Sequence, residues 1–348
     1  MKLWRSILGV SLSCWVLACG SDGGGADTDT DTDGATPSSS SPGSDTSPTA
    51  PDDDDSDGST TTADTDSASD SDPSTDETGD DPSGDPTTGG EGPAPALPTA
   101  DGACPEFASG DLDFAPGETG PRRARVFFEP SAGGGGPLVF WFHGTGGSAG
   151  NSDDALPEDD IAAITSMGGM LVIPYADPAA GQFPWFLVLG DREDDLHLMD
   201  EIVGCAAAGP GIDARRIHAA GFSAGGLHTS QAALRRASYI ASTVPISGGV
   251  YSTGTPSDAP DQVISAMIFH GGASDVAGGL GFQMSSELFE QSIDARGGYS
   301  LMCNHGQGHS YLSEREFAWD FMLAHPFGTE PSPFESGLPS WVPSFCDG

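Results

Sequence analysis

Beyond residue 120 the chain alternates short, densely apolar runs with longer stretches whose apolar residues recur every three or four positions. The runs at 122–129 (RRARVFFE), 138–142 (LVFWF), 170–174 (MLVIP), 240–246, 263–269 (VISAMIF) and 299–303 have the length and residue content of strands. A further run, starting just after Arg215-Arg216, reads the same way. Between the strands, 194–208 carries Leu196, Met199, Ile202 and Val203 at helical spacing, and 227–237, 282–295 and 313–324 read as further helices. Strands alternating with helices predict an α/β domain, a mostly parallel central sheet with helices on both faces. In such a sheet the reactive loops gather at the carboxyl ends of the strands.

One strand-to-helix boundary carries chemistry. Gly221-Phe222-Ser223-Ala224-Gly225 is a Gly-x-Ser-x-Gly turn, tight enough to hold its serine in a strained backbone conformation with the hydroxyl presented at the sheet edge. Side chains on the two glycines would collide with the neighbouring strand or helix. The start of the helix also aims free backbone N–H groups at negative charge developing beside Ser223. A serine hydroxyl is a weak nucleophile at neutral pH, so it needs a base, and the base needs an acid to fix its tautomer. Both are expected after the serine, acid first and histidine second. Asp275 ends the glycine-rich loop after strand 263–269 and is the candidate acid, whereas Asp294 and Asp320 fall on helix surfaces.

His309 is the candidate base, in a loop ahead of the last helix, and His305 is its rival. Small residues flank His309 and let its ring reach across. His143 and His270 stand at strand ends and are expected to brace their loops, while His218 and His228 fit structural roles. After strand 138–142, His143-Gly144-Thr145-Gly146-Gly147 is a loop whose backbone N–H groups can approach a ligand closely.

The amino end is different in kind. Residues 1–18 combine Lys2 and Arg5 with an apolar run too short to span a bilayer, the shape of a secretory signal. They end in Val16-Leu17-Ala18-Cys19-Gly20, which resembles the lipobox of bacterial lipoproteins and implies a lipid on Cys19 as the first mature residue. Residues 19–100 are Asp, Thr, Ser, Gly and Pro with almost nothing to bury, and read as an extended acidic tether. No Lys or Arg occurs between Arg5 and Arg122, and the net charge of −40 leaves no basic patch for nucleic acid. These segments predict an exported protein of the cell envelope, at the outer membrane or cell surface, or else secreted. Residues 101–348 are one domain's worth of chain.

With Cys14 in the leader and Cys19 lipidated, Cys104, Cys205, Cys303 and Cys346 remain. An even number in an exported chain predicts two disulfides, and three pairings are possible. No spacing among them suits zinc, and no metal site is expected.

Taken together, Gly-Phe-Ser-Ala-Gly-Gly at 221–226, Asp-Ala-Arg-Arg-Ile-His ahead of it, HGTGG at 143–147, HGGASD at 270–275 and GQGHS at 306–310 make residues 122–324 resemble the α/β-hydrolase superfamily. Within it the chain is similar to the secreted polyhydroxybutyrate depolymerase and feruloyl esterase group. The resemblance implies an α/β-hydrolase fold with Ser223, His309 and Asp275 as the triad and the backbone N–H groups of Thr145 and Ala224 as the oxyanion hole. Trp185, in Pro184-Trp185-Phe186, falls where related esterases place an aromatic near the substrate, and equally suits a core role. The activity implied is hydrolysis of carboxylic esters (hydroxyalkanoate, feruloyl or acetyl) through an acyl-enzyme, by a monomer that needs no cofactor. A serine peptidase of the same fold and a non-catalytic ligand-binding lipoprotein are the alternative readings.

Overall fold

A computed structural model describes residues 93–151, 155–310 and 314–347. The expected leader, the lipidated Cys19 and all but the last residues of the expected tether lie outside them. The elements are β1 (Gly110–Phe114), β2 (Arg122–Phe128), β3 (Leu138–Phe142), α1 (Glu158–Ser166), β4 (Met170–Pro174), α2 (Asp194–Ala208), β5 (Ile217–Phe222) and α3 (Ala224–Arg235). After them come β6 (Ser242–Ile246), β7 (Ser265–His270), β8 (Val276–Ala277), β9 (Leu280–Gly281), α4 (Phe282–Asp294), β10 (Tyr299–Asn304), α5 (Ala318–Ala324) and β11 (Cys346–Asp347).

Among the described residues nine strands form one sheet in the order β1-β2-β4-β3-β5-β6-β7-β10-β11. From β4 across to β10 the strands run parallel, while β2 and β1 at one edge and β11 at the other are antiparallel to their neighbours. β3 shows why the sheet is covered on both faces. All five of its residues are buried, with Leu138, Phe140 and Phe142 in one apolar layer and Val139 and Trp141 in the other. The first layer is closed by α2, α3 and α4 through Leu196, Leu227 and Phe289, the second by α1 and α5 through Ile164 and Phe321. Each such side chain contributes about 1.5–3 kcal/mol when taken from water, so both helix layers are held by the same term.

The structure adds elements that the apolar pattern did not announce. α1 falls where the sequence pattern assigns no element, because only Ile164 of its nine residues is fully buried, and its acidic first turn (Glu158, Asp159, Asp160) suits a helix amino end. The expected helix at 313–324 is a short 3-10 turn, Glu314–Phe317, followed by α5. Two disulfides are present, Cys104–Cys205 and Cys303–Cys346. The first ties the segment ahead of β1 to α2, where the buried Glu201 carboxylate also accepts the Asp101 and Gly102 N–H groups at 2.6 and 2.9 Å. The second joins directly paired residues of β10 and β11. Among the described residues no helix is long and apolar enough to cross a membrane.

Candidate active site

β5 ends on Phe222 and α3 begins on Ala224, so Ser223 alone makes the turn between them, at φ 57 and ψ −120. A non-glycine residue in that region is strained by about 1–3 kcal/mol, and the surroundings impose it. The Ser223 N–H donates to the Ile246 carbonyl at 2.9 Å, and a Cβ on Gly225 would lie 1.9 Å from the Phe142 carbonyl oxygen. The helix therefore packs against β3 at backbone contact, as the glycine spacing anticipates. Ala224 opens α3, so its N–H has no partner within the helix.

The loops after β7 and β10 bring the other candidates to Ser223. His309 Nδ1 stands 2.7 Å from Asp275 Oδ1 and His309 Nε2 stands 2.9 Å from Ser223 Oγ. An ionised carboxylate only accepts, so Nδ1–H donates to it and Nε2 is left to accept the serine hydroxyl. The other oxygen of Asp275 accepts the Ser247 hydroxyl and the Gly271 N–H, both at 2.8 Å. Burial by itself would raise the Asp275 carboxyl, but the hydrogen bonds from His309, Gly271 and Ser247 outweigh it and hold the group below its ordinary value. The two loops are stapled backbone to backbone. Gly308 N–H donates to the Gly271 carbonyl at 3.0 Å, and a Cβ on Gly271 would lie 1.9 Å from the Gly308 oxygen.

The glycine loop 143–147 lies against the turn. A Cβ on Gly144 would come within 3.2 Å of the Ser223 Cβ. A cleft of about 170 Å³ opens there, lined by Trp141, His143, Gly144, Thr145, Gly147 and Phe222. Trp185, the candidate substrate contact, is instead a core residue. It is 1% exposed, donates its indole N–H to the His143 carbonyl at 2.9 Å and packs on Phe142, so it supports the glycine loop from beneath.

The other histidines weighed in the sequence occupy supporting places. His143 is buried against Trp185 with Nδ1 on the Gly144 carbonyl at 2.9 Å, and His270 Nδ1 accepts the Gly272 N–H at 3.0 Å. Burial pushes His218 down to about 3 and His228 to about 4, so both rings are neutral inside the core. His305, the rival base, accepts the Gln307 N–H of its own loop at 3.3 Å. Among the described residues no group of three or more His, Cys, Asp or Glu is placed to hold a metal ion.

Three residues at the site were not anticipated. Ser247, at φ 46 and fully buried at the carboxyl end of β6, holds Asp275. Phe222 and Phe282 stack on the His309 ring. In Ser247 the available signal is position, a polar residue before Gly248-Gly249 at a strand's carboxyl end.

No family model matches the chain, and no curated protein matches it. Solved structures do. The native structure of pOPH superposes with a TM-score of 0.55 at 19% identity, covering 70% of this chain and 96% of that one. The native structure of sOPH gives 0.53 at 20% identity, with 70% and 96% covered. A variant of pOPH has also been solved as a complex with pNPB. The strand order and this likeness give the chain the α/β-hydrolase fold.

Proposed function

We propose that the chain is a serine hydrolase of carboxylic esters, exported and held at the cell envelope by a lipid on Cys19. The reading rests on the continuous line of hydrogen bonds from Asp275 through His309 to Ser223, mounted on a strained strand-to-helix turn. In the proposed reaction Ser223 Oγ attacks the ester carbonyl carbon as His309 Nε2 takes the hydroxyl proton, and Asp275 stabilises the imidazolium that forms. The tetrahedral oxyanion is received by the backbone N–H groups of Ala224 and Thr145, each worth about 3 kcal/mol of barrier. His309 then returns its proton to the departing alcohol, and water, activated by the same ring, releases the acid from the acyl-enzyme.

A cleft of about 170 Å³ opens beside the turn, and the acyl group is read as a hydroxyalkanoyl, acetyl or feruloyl unit, the classes that the sequence resemblance implies.

The test is hydrolysis of p-nitrophenyl esters from acetate to palmitate, and of a ferulate ester, by the full chain and by Ser223→Ala. Turnover on the preferred ester should fall more than about a thousandfold in the variant, with thermal unfolding within about 2 °C because both residues suffer the same backbone strain, and the chain-length profile chooses among the acyl classes. A fluorophosphonate should label the wild type and not the variant. A variant that keeps a tenth of the activity would remove Ser223 from the reaction. A wild type that labels but cleaves no ester would favour the peptidase.

A further inference from the structure

Two aromatic rings stack on the candidate base. The Phe222 ring lies with its centroid 5.1 Å from that of His309 and 26° between the planes, and Phe282 lies at 4.5 Å and 24°. Neither ring comes from the loop that carries His309. Phe222 ends β5 beside the nucleophile, and Phe282 begins α4. The acid itself places Phe282. The Phe282 N–H donates to the Asp275 carbonyl at 2.9 Å, and the β8–β9 hairpin, turning at Gly278-Gly279, returns the chain from one residue to the other. One short hairpin therefore fixes both the carboxylate that meets Nδ1 and the ring that covers a face.

We infer that Phe222 and Phe282 are positioning residues, a pair of stacked aromatic rings that keeps the His309 imidazole in line with Ser223 and Asp275 and favours its cationic form during the reaction. The inference rests on the serine-hydrolase reading above. Rings stacked near-parallel on the imidazole at these distances restrict its rotation about the Cβ–Cγ bond and favour the orientation that keeps both nitrogens on their partners. The phenyl face also attracts a cation within about 6 Å of its centroid, and both centroid distances fall inside that range. The attraction is largest once His309 holds the serine proton, which is the differential stabilisation that lowers a barrier. An aliphatic side chain of similar bulk would exclude water equally well but would only disfavour the charged form.

Among the described residues the titratable groups near the ring are Asp275, which it touches, His270 and Tyr251, which feel the Asp275 charge, and His305 on its own loop. None is altered by exchanging the phenylalanines, so a change in pH dependence reports the aromatic faces.

The experiment is a pH profile of kcat and kcat/KM for p-nitrophenyl butyrate, using the full chain as wild type, Phe282→Leu, Phe222→Leu and Phe222→Tyr. A fluorophosphonate titration counts the reactive Ser223 in each preparation. Phe282→Leu should lower kcat by about three- to thirtyfold with little change in KM. It should also move the acidic limb of kcat/KM to lower pH by about half a unit, because a ring less favoured as the cation gives up its proton sooner. Phe222→Tyr keeps the face at a partly buried position and should keep both values, and Phe222→Leu should move them in the same direction as Phe282→Leu. Leucine variants that leave the limb in place, or a tyrosine variant that behaves like the leucine one, would overturn the inference. Should Phe282→Leu not fold, Phe222→Leu decides alone, since its ring is only partly buried. A wild type that neither labels nor turns over ester would instead fail the serine-hydrolase reading, an outcome told apart by the titration.

Discussion

Gly271→Ala is expected to disable the site without replacing any of the three residues proposed to react. A Cβ at Gly271 would lie 1.9 Å from the Gly308 oxygen, 2.5 Å from its carbonyl carbon and 2.6 Å from its nitrogen, all backbone atoms with no rotamer to yield. A carbon–oxygen contact relaxes at about 3.3 Å, so the two loops must separate by about 1.4 Å. Gly308 immediately precedes His309, whose Nε2 stands 2.9 Å from Ser223 Oγ, and the same shift breaks the Gly308–Gly271 hydrogen bond. A misplacement of about 1 Å costs on the order of a hundredfold in rate, or about 2.7 kcal/mol of barrier. The assay is p-nitrophenyl butyrate hydrolysis with kcat and KM separated, and the fall should appear in kcat. Gly281→Ala is the control, because a Cβ there meets nothing within 4 Å and its φ of −102 suits any residue. A Gly271→Ala variant within threefold of wild type would refute the idea that this backbone contact sets the position of the base.

Two further variants test the electrostatics. Ser247→Ala removes one of the donors that hold the Asp275 carboxylate below its ordinary value. A hydrogen bond to a charged group is worth about 1.5–3 kcal/mol. That stability is present above the unfolded carboxylate value of about 3.9 and lost as pH falls through the depressed folded one, so denaturant melts should separate wild type from variant at pH 7 and converge in acid. Asp160 is raised to about 6, chiefly by burial and then by the charges of Asp320, Asp159 and Glu316. The folded protein thus holds this proton while the unfolded chain has lost it, and stability declines as pH rises from about 4 to 6. Asp160→Asn should therefore gain about 1 kcal/mol at pH 7, discounted for partial exposure, and nothing at pH 3; an equal change at both values would reject the assignment.

What the sequence revealed was whatever a short stretch of chain encodes by itself. The strand-to-helix turn at Ser223 is local, since its glycines and its apolar strand adjoin it, and β3, β4 and β7 are apolar on both faces and visible without partners. Asp275 and His309 were reachable because strand ends and chain order restrict where an acid and a histidine can fall, and the structure brings both to Ser223. Contacts between distant segments left no such trace. Phe282 reads as an ordinary helix-start hydrophobe until α4 places it on His309, and Ser247 as one more small residue until β6 sets it under Asp275. β1 was missed because an edge strand with one buried residue has no apolar run to show. The cysteine pairing needed the fold, which sets Cys303 opposite Cys346 and brings Cys104 to α2.

The bond between Cys104 and Cys205 also decides how the domain bears mechanical load. Tension applied to the chain ahead of residue 104 would otherwise pass through residues 105–109 into β1 and peel that edge strand from β2, one hydrogen bond at a time. The disulfide diverts the pull into α2, whose Leu196, Met199, Ile202 and Val203 are buried in the core layer shared with β3. Failure then requires shearing a whole buried helix from the sheet rather than unzipping its weakest edge, so a domain tugged by its amino end would keep the loops that carry Ser223, Asp275 and His309 in register.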